Sequence, residues 1–296
     1  MPAEGIEKVA HEEILTFEEI VKVVKTALDL GITRFRLTGG EPLVRRGIID
    51  LVEQLSALKR IEDLSMTTNG LELARYALNL KKAGVRRVNI SLDSLNPDTY
   101  RLITRGGDLN LVQEGIEAAL AAGFDQVKLN TVILKGINDK EIFPLLAFAR
   151  RKKTPIRFIE MMPITTTRID GMERFLSLEE IKRKIEDQIR LEPLRVYLGC
   201  GPAEYYRAPG QLTVGFIAPI SRGFCTSCNR MRLTADGKIR PCLASDRELD
   251  LKGPIRGGGG QSAIREIILK AIALKPVGHD FASKIPSRRK MPAIGG

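Results

Sequence analysis

Five times before residue 165 a short run of strand-forming residues follows a helical run that a glycine or a turn has stopped, and few folds accept that cadence. Thr16 and Glu19 make a capping box, Phe17, Ile20, Val21, Val24, Ala27 and Leu28 recur at helical spacing, and Gly31 ends the helix before a strand at 34–38. The same grammar returns at Gly84 and Gly123, which precede strands at 87–91 and 126–134. Shorter apolar strands at 64–68 and 156–161 complete the series. Strands that alternate with helices at this spacing run parallel, so the fold is α/β, as an open doubly wound sheet or a full or partial barrel.

Within the strands the side chains sort with period two. Phe35 and Leu37, Val88 and Ile90, and Val127 and Leu129 form an apolar set that can pack under the helices. The opposite set is polar: Arg36 and Thr38, Ser65, Thr67 and Asn69, Asn89 and Ser91, Lys128 and Asn130, with Glu160 and Met162 expected from the fifth strand. An ordinary parallel barrel fills its interior with Val, Ile and Leu. Polar groups left unpaired there would cost about 1–3 kcal/mol each, so this face is expected to line a lumen that holds a polar ligand.

Two loops fall at strand ends. Thr38-Gly39-Gly40-Glu41-Pro42 lets a ligand approach the backbone and offers one carboxylate, and Thr67-Thr68-Asn69-Gly70 is a second tight polar turn. Glycine-rich turns are common, so each alone is equally compatible with a plain connection. After Met162-Pro163 the cadence stops and a second, mixed region is expected. Residues 164–170 are Thr-rich and irregular, Ser177 caps a helix through Ile181 and Ile185, and strand-like pieces follow at 204–207 and 213–218. The glycines at 257–260 read as a flexible break, 262–275 as a helix, and everything from Pro286 as a loose tail.

Three of the four cysteines lie in one ribbon, as Cys225-x2-Cys228 with thirteen residues between Cys228 and Cys242. The turn at 234–238 can bring the chain back so that a third thiolate joins the first two. A closed structural zinc site takes four ligands; three cysteines suit a cubane iron-sulfur cluster with one iron open, or a zinc completed by Cys200. Arg230 and Arg232 beside such a centre point to anion recognition, the plainer reading being a solvated strand face. His11 and His279 show no metal spacing.

Charge narrows the ligand. The formal net charge of +11 attracts phosphorylated anions, but the basic residues are scattered, which favours a nucleotide-sized ligand over a polymer. A zinc-ribbon nucleic-acid binder should carry stacking aromatics near its basic residues, and Trp is absent with only five Tyr. No run of eighteen apolar residues and no signal-peptide pattern occurs, so neither membrane nor export is expected. In the cytoplasm, clustered cysteines read as metal ligands before disulfides.

Several stretches together resemble one family. Met1-Pro2-Ala3-Glu4-Gly5, Leu37-Thr38-Gly39-Gly40-Glu41-Pro42-Leu43, Thr67-Thr68-Asn69-Gly70, Asn89-Ile90-Ser91-Leu92-Asp93-Ser94, Arg157-Phe158-Ile159-Glu160-Met161-Met162-Pro163, the ribbon from Cys225 to Cys242 and the final Gly295-Gly296 are similar, nearly end to end, to the molybdenum cofactor biosynthesis protein A family. These are the GTP 3',8-cyclases of the radical S-adenosylmethionine superfamily. The most specific part is the ribbon with Arg230-Met231-Arg232, followed by the terminal diglycine.

The resemblance implies a partial (βα)6 TIM-like barrel missing its first strand, over residues 1–165, and a C-terminal cluster-binding region over 166–296. In the family one [4Fe-4S] cluster cleaves S-adenosylmethionine to a radical that acts on GTP, and the open iron of a second cluster holds the guanine. The product is (8S)-3',8-cyclo-7,8-dihydroguanosine 5'-triphosphate, the first step of molybdopterin synthesis. By resemblance, Cys225, Cys228 and Cys242 ligate the second cluster. Arg36, Thr67, Lys128, Arg230, Met231 and Arg232 contact GTP; Gly40, Ser91 and Met162 contact S-adenosylmethionine; and Gly295 and Gly296 form a catalytic tail. A homodimer and delivery of product to the next pathway enzyme are also implied.

One departure shapes the expectation. The family's Cys-x3-Cys-x2-Cys motif for the first cluster ends immediately before its Met-Pro, and this sequence starts at Met1-Pro2. An aromatic residue of that motif and an upstream arginine of the GTP site are absent with it. As written, the chain is expected to bind a cluster through the ribbon and not to reduce S-adenosylmethionine. An internal start or a genuine truncation would each give this sequence, and a non-catalytic GTP- or zinc-binding relative is the alternative reading.

Overall fold

The structure is a computed structural model that describes residues 10–163, 172–196, 198–199, 201–278, 289 and 291–294. Cys200, His279, Gly295, Gly296 and the Met1–Gly5 motif lie outside the described residues.

The expected capping box opens α1 (Phe17–Asp29): the Glu19 N–H donates to the Thr16 hydroxyl at 3.2 Å and the Thr16 N–H to the Glu19 carboxylate at 2.8 Å. The cadence then runs β1 (Arg34–Leu37), α2 (Ile48–Ser56), β2 (Asp63–Thr68), α3 (Leu73–Ala83), β3 (Arg87–Ser91), α4 (Pro97–Thr104), α5 (Leu109–Ala121), β4 (Gln126–Val132), α6 (Ile142–Arg151) and β5 (Ile156–Ile159). Gly84 stops α3 at φ 112°, a left-handed cap that a side chain resists. Next come α7 (Leu178–Glu186), β6 (Glu192–Pro193), β7 (Glu204–Ala208) and β8 (Leu212–Ile217).

These strands form one sheet in the order β1-β2-β3-β4-β5-β8-β7-β6. Strands β1 to β5 pair in parallel, and β8 continues the series in parallel with β5; the β8–β7 and β7–β6 pairings at the far edge are antiparallel. The architecture is therefore the partial-barrel α/β fold expected, with β8 supplying its sixth parallel strand beyond residue 165. The core lies under the helices, where Met66, Val88, Ile90, Leu129, Ile156 and Phe158 of the strands meet Leu73, Leu80, Val112, Ile116 and Leu145 of the helices, all fully buried. Each such side chain contributes about 1.5–3 kcal/mol.

The rest of the chain forms a small antiparallel ribbon, β9 (Arg232–Leu233), β10 (Lys238–Arg240) and β11 (Leu249–Asp250), followed by α8 (Lys252–Arg256), α9 (Gly260–Ala273) and α10 (Met291–Ile294). A second apolar cluster docks this ribbon onto the barrel: Val23 and Ala27 of α1 meet Ile239 of β10, Leu251, and Ile264, Ile268 and Ala271 of α9. Arg256 reinforces the joint through the Glu19 carboxylate at 2.7 and 3.1 Å. The ribbon turn sits so close to α8 that a Cβ on Gly237, at φ 79°, would stand 2.6 Å from the Lys252 Cβ.

Two expectations change here. The glycine run does separate two helices, α8 and α9, but the break is confined to 257–259, because α9 already begins at Gly260, two residues before the expected start, where buried Ile264 and Ile268 outweigh the poor helix propensity of glycine. Part of the stretch read as a loose tail is ordered as α10, because Ile294 is buried against Met162, Ile220, Leu243 and Ala244.

Candidate active site

The inner face of the sheet is built on an arginine that the strand pattern did not single out. Arg157 projects from β5 and is 4% exposed. Its Nη2 donates to Asn89 Oδ1 at 2.8 Å and its Nε to Asn130 Oδ1 at 2.8 Å, and Asn89 Nδ2 in turn donates to the Thr67 hydroxyl at 3.1 Å. Space for the guanidinium stem comes from Gly215 on β8, where a Cβ would meet Arg157 Cγ at 2.8 Å. Arg36 on β1 donates to the Ser65 hydroxyl at 3.3 Å. Lys128 on β4 and Arg87 on β3 both donate to the Leu198 carbonyl, and Arg87 also pairs with Asp63. The expected polar set Arg36, Ser65, Thr67, Asn89, Lys128 and Asn130 thus shares one face, with Arg87 and Arg157 added.

Four cations crowd this face, and the charges suppress one another. Lys128, 2% exposed, is pushed down to about 7 by burial and then by Arg157, Arg87 and Arg36. Arg36 falls to about 10 through its enclosure and then through Arg157, Arg230 and Arg87. Arg36 keeps contact with water, which screens part of this repulsion. Arg232 falls to about 10 through burial and then Arg230 and Arg36, which ties the ribbon arginines to the same field. Such a surface gains most from a ligand with several negative charges.

The fifth strand is corrected in two places. Glu160 does not face the lumen: it is wholly buried and accepts from the N–H groups of Leu178 at 2.8 Å, Ile220 at 2.9 Å and Ser221 at 3.0 Å, and from the Ser221 hydroxyl. Alternation from Arg157 puts Ile159 on the lumen face and position 160 on the opposite one, so the expectation took the wrong phase of the strand, which also ends at Ile159. Met162 packs against Ile294. Glu41, expected to offer its carboxylate to a ligand, uses it inside the protein, accepting from the Thr68 hydroxyl at 2.7 Å and from the N–H groups of Asn69 at 2.6 Å and Leu43 at 3.1 Å. It locks the two strand-end loops together, leaving Gly40 exposed on one of them, while Ser91 ends β3, two strands away from β1.

The ribbon carries three half-buried cysteines that form no disulfide, Cys225, Cys228 and Cys242. Burial works to raise the Cys228 thiol, but the Arg230 N–H, its guanidinium and the charge of Lys275 together bring it below the ordinary range. Arg230 also lies over the Phe224 ring at 5.0 Å, fixing it beside the Cys225 turn. Met231 turns the other way, into the apolar cluster shared with α1 and α9, so only its backbone shares the face of its arginine neighbours. The Arg232 guanidinium donates to the Ile294 carbonyl at 3.4 Å, seating the chain just before Gly295 and Gly296.

A single ion needs its thiolates within about 2.3 Å of one point. Among the described residues no three Cys, His, Asp or Glu side chains gather in that way. Cys225 and Cys228 lie at one end of the ribbon before β9, and Cys242 follows β10.

Residues 5–149 match the family described as the Radical SAM superfamily, and residues 154–281 the family described as Molybdenum Cofactor Synthesis C. Relatives include the GTP 3',8-cyclase of Moorella thermoacetica, 48% identical over 297 residues, and that of Petrotoga mobilis, 46% identical over 298; each alignment covers 100% of this chain and 92% of the relative. The chain belongs to the GTP 3',8-cyclase family. The cyclase shares its fold with Streptococcus suis SuiB bound to S-adenosylmethionine, at TM-score 0.56 and 16% identity over 85% of this chain and 62% of that one. SuiB bound to precursor peptide SuiA gives TM-score 0.60 at 14% identity, over 95% and 70%. The cyclase is thus a radical S-adenosylmethionine lyase of molybdenum cofactor biosynthesis, and that superfamily implies a [4Fe-4S] cluster and S-adenosylmethionine. No helix among the described residues is long and apolar enough to cross a membrane.

Proposed function

We propose that the cyclase converts GTP to (8S)-3',8-cyclo-7,8-dihydroguanosine 5'-triphosphate, with the triphosphate on the cation-lined sheet face and the purine toward the cysteine ribbon. The observation that carries this reading is the crowding of Arg36, Lys128 and Arg157 around Arg87: the first three have depressed proton affinities, the mark of a field that a polyphosphate would neutralise. Arg36, Thr67, Lys128, Arg230, the Met231 backbone and Arg232 bind GTP, and Arg157 holds Asn89 and Asn130 in place around it. Gly40, Ser91 and Met162 line the S-adenosylmethionine side. Cys225, Cys228 and Cys242 would hold a [4Fe-4S] cluster. When bound, that cluster would supply an open iron as a seat for the base; the radical that cyclisation requires would come from S-adenosylmethionine once it is reduced by one electron from the superfamily's other [4Fe-4S] cluster, whose Cys-x3-Cys-x2-Cys motif is not among these 296 residues.

The diglycine Gly295-Gly296, which follows α10 in the sequence, acts as the catalytic tail. Residues 1–165 together with β6, β7 and β8 form the barrel unit, and the rest of 166–296 forms the cluster unit. A cytoplasmic homodimer that passes its product to the next molybdopterin enzyme completes the reading and rests on the family alone.

Calorimetric titration with GTP, GDP, GMP and guanosine tests the site. Each phosphate removed takes away charge-assisted hydrogen bonds worth about 1.5–3 kcal/mol, so the affinity is expected to fall at least about tenfold per step. Equal binding of guanosine and GTP would overturn the assignment of the cations. For the ribbon, the variant carrying Cys225→Ser, Cys228→Ser and Cys242→Ser is expected to lose the iron that the parent takes up there on anaerobic reconstitution. Unchanged iron per chain would remove the cluster from the ribbon.

A further inference from the structure

We propose that Lys275 is a positioning residue for the cysteine ribbon, tying the limb that carries Cys228 to the limb that carries Cys242 and setting a positive charge beside the thiols. The proposal rests on the reading of the ribbon as a cluster site. Lys275 follows α9, and its N–H is held by the Ile272 carbonyl at 3.1 Å. Helix α9 is itself fixed through Ile264, Ile268 and Ala271 against α1 and β10, so the lysine starts from a firm base. Its Nζ donates to the Arg230 carbonyl at 2.6 Å and to the Pro241 carbonyl at 3.1 Å. Arg230 stands two residues after Cys228, and Pro241 immediately precedes Cys242.

Those two acceptors matter because so little else joins the limbs. The β9–β10 pairing consists of Leu233 opposite Ile239 and Arg232 opposite Arg240, and stops there. Lys275 adds a crosslink where the ladder ends, on the cysteine side. A lysine that only capped a helix end in solvent would have no reason to bridge two carbonyls from different strands. Ordering its side chain costs up to about 2 kcal/mol, which two charge-assisted hydrogen bonds at about 1.5–3 kcal/mol each outweigh. Three thiolates on a [4Fe-4S]2+ core leave a net negative charge, so the nearby ammonium also favours taking up an electron.

The test uses the full chain, reconstituted anaerobically, as parent, Lys275→Met and Lys275→Arg. Lys275→Met is expected to release ribbon iron to a chelator at least about tenfold faster, the loss of one charge-assisted bond. The midpoint potential of its cluster, followed by electron paramagnetic resonance, is expected to shift to a more negative value. Lys275→Arg restores the charge and is expected to return the potential toward that of the parent, which a purely structural lysine would not predict. If Lys275→Met loses its cooperative thermal transition, Lys275→Arg against Lys275→Gln decides on the same two readouts. Iron release and potential both unchanged in a parent-like fold overturn the role of Lys275 alone. A parent chain that takes up no iron overturns the cluster reading, and this inference with it.

Discussion

Glu160→Ala is expected to melt about 10 °C below the parent and to retain less iron at the ribbon. The carboxylate is wholly buried and receives four hydrogen bonds from Leu178, Ile220 and Ser221. Truncation strands three backbone N–H groups at about 1–3 kcal/mol each. Water entering the cavity recovers part of this, leaving a loss of about 4 kcal/mol, and each kilocalorie moves the melting point of a protein this large by about 2–4 °C. The functional consequence follows from what the carboxylate joins: the end of the Arg157 strand, the start of α7, and the segment that runs from β8 into Cys225. Glu160→Gln keeps one acceptor and is expected to lose about half as much. Scanning calorimetry with an iron assay checks both, and a Glu160→Ala melting point within about 2 °C of the parent would sink the clamp.

The parts of this site visible in the sequence are those that repeat. Stopping glycines and period-two alternation place Arg36, Asn89, Lys128 and Asn130 on one face because each lies inside a regular strand, and the structure groups them there. Arg157 escaped the same argument. It lies between Ile156 and Phe158, both fully buried, and the assignment of Glu160 and Met162 to the lumen takes the opposite phase of the strand, which puts Arg157 on the helix side. An arginine between two core residues was the available signal, since such a guanidinium needs buried acceptors. Glu41 was misread for a different reason: its partners Thr68 and Asn69 lie on another strand end, and loop-to-loop bonds leave no periodic trace. The pairing of β8 with β5 and the seat of Ile294 are likewise non-local, the latter assembled from residues far apart in the chain.

Lys128→Met is expected to make the ligand-free protein more stable at pH 7 while lowering its affinity for GTP about a hundredfold. Lys128 titrates near 7 in the folded protein against 10.5 for an ordinary lysine, so between those values the unfolded chain binds more protons and stability rises with pH. The penalty is full below about pH 7 and gone above about pH 10.5. It cannot exceed roughly 5 kcal/mol, and the bond to the Leu198 carbonyl offsets part, so a gain of about 1–2 kcal/mol is expected from the apolar replacement. A triphosphate reverses the balance by giving the ammonium a counter-charge, which returns its proton affinity toward the ordinary value. GTP binding by the parent at pH 8 should therefore take up close to one proton, read as a dependence of the calorimetric heat on buffer ionisation enthalpy, and should weaken between pH 7 and pH 9. Lys128→Met should show neither effect. A parent that binds GTP without proton uptake, together with a Lys128→Met variant no more stable at pH 7, would mean that Lys128 is charged and already satisfied before the nucleotide arrives.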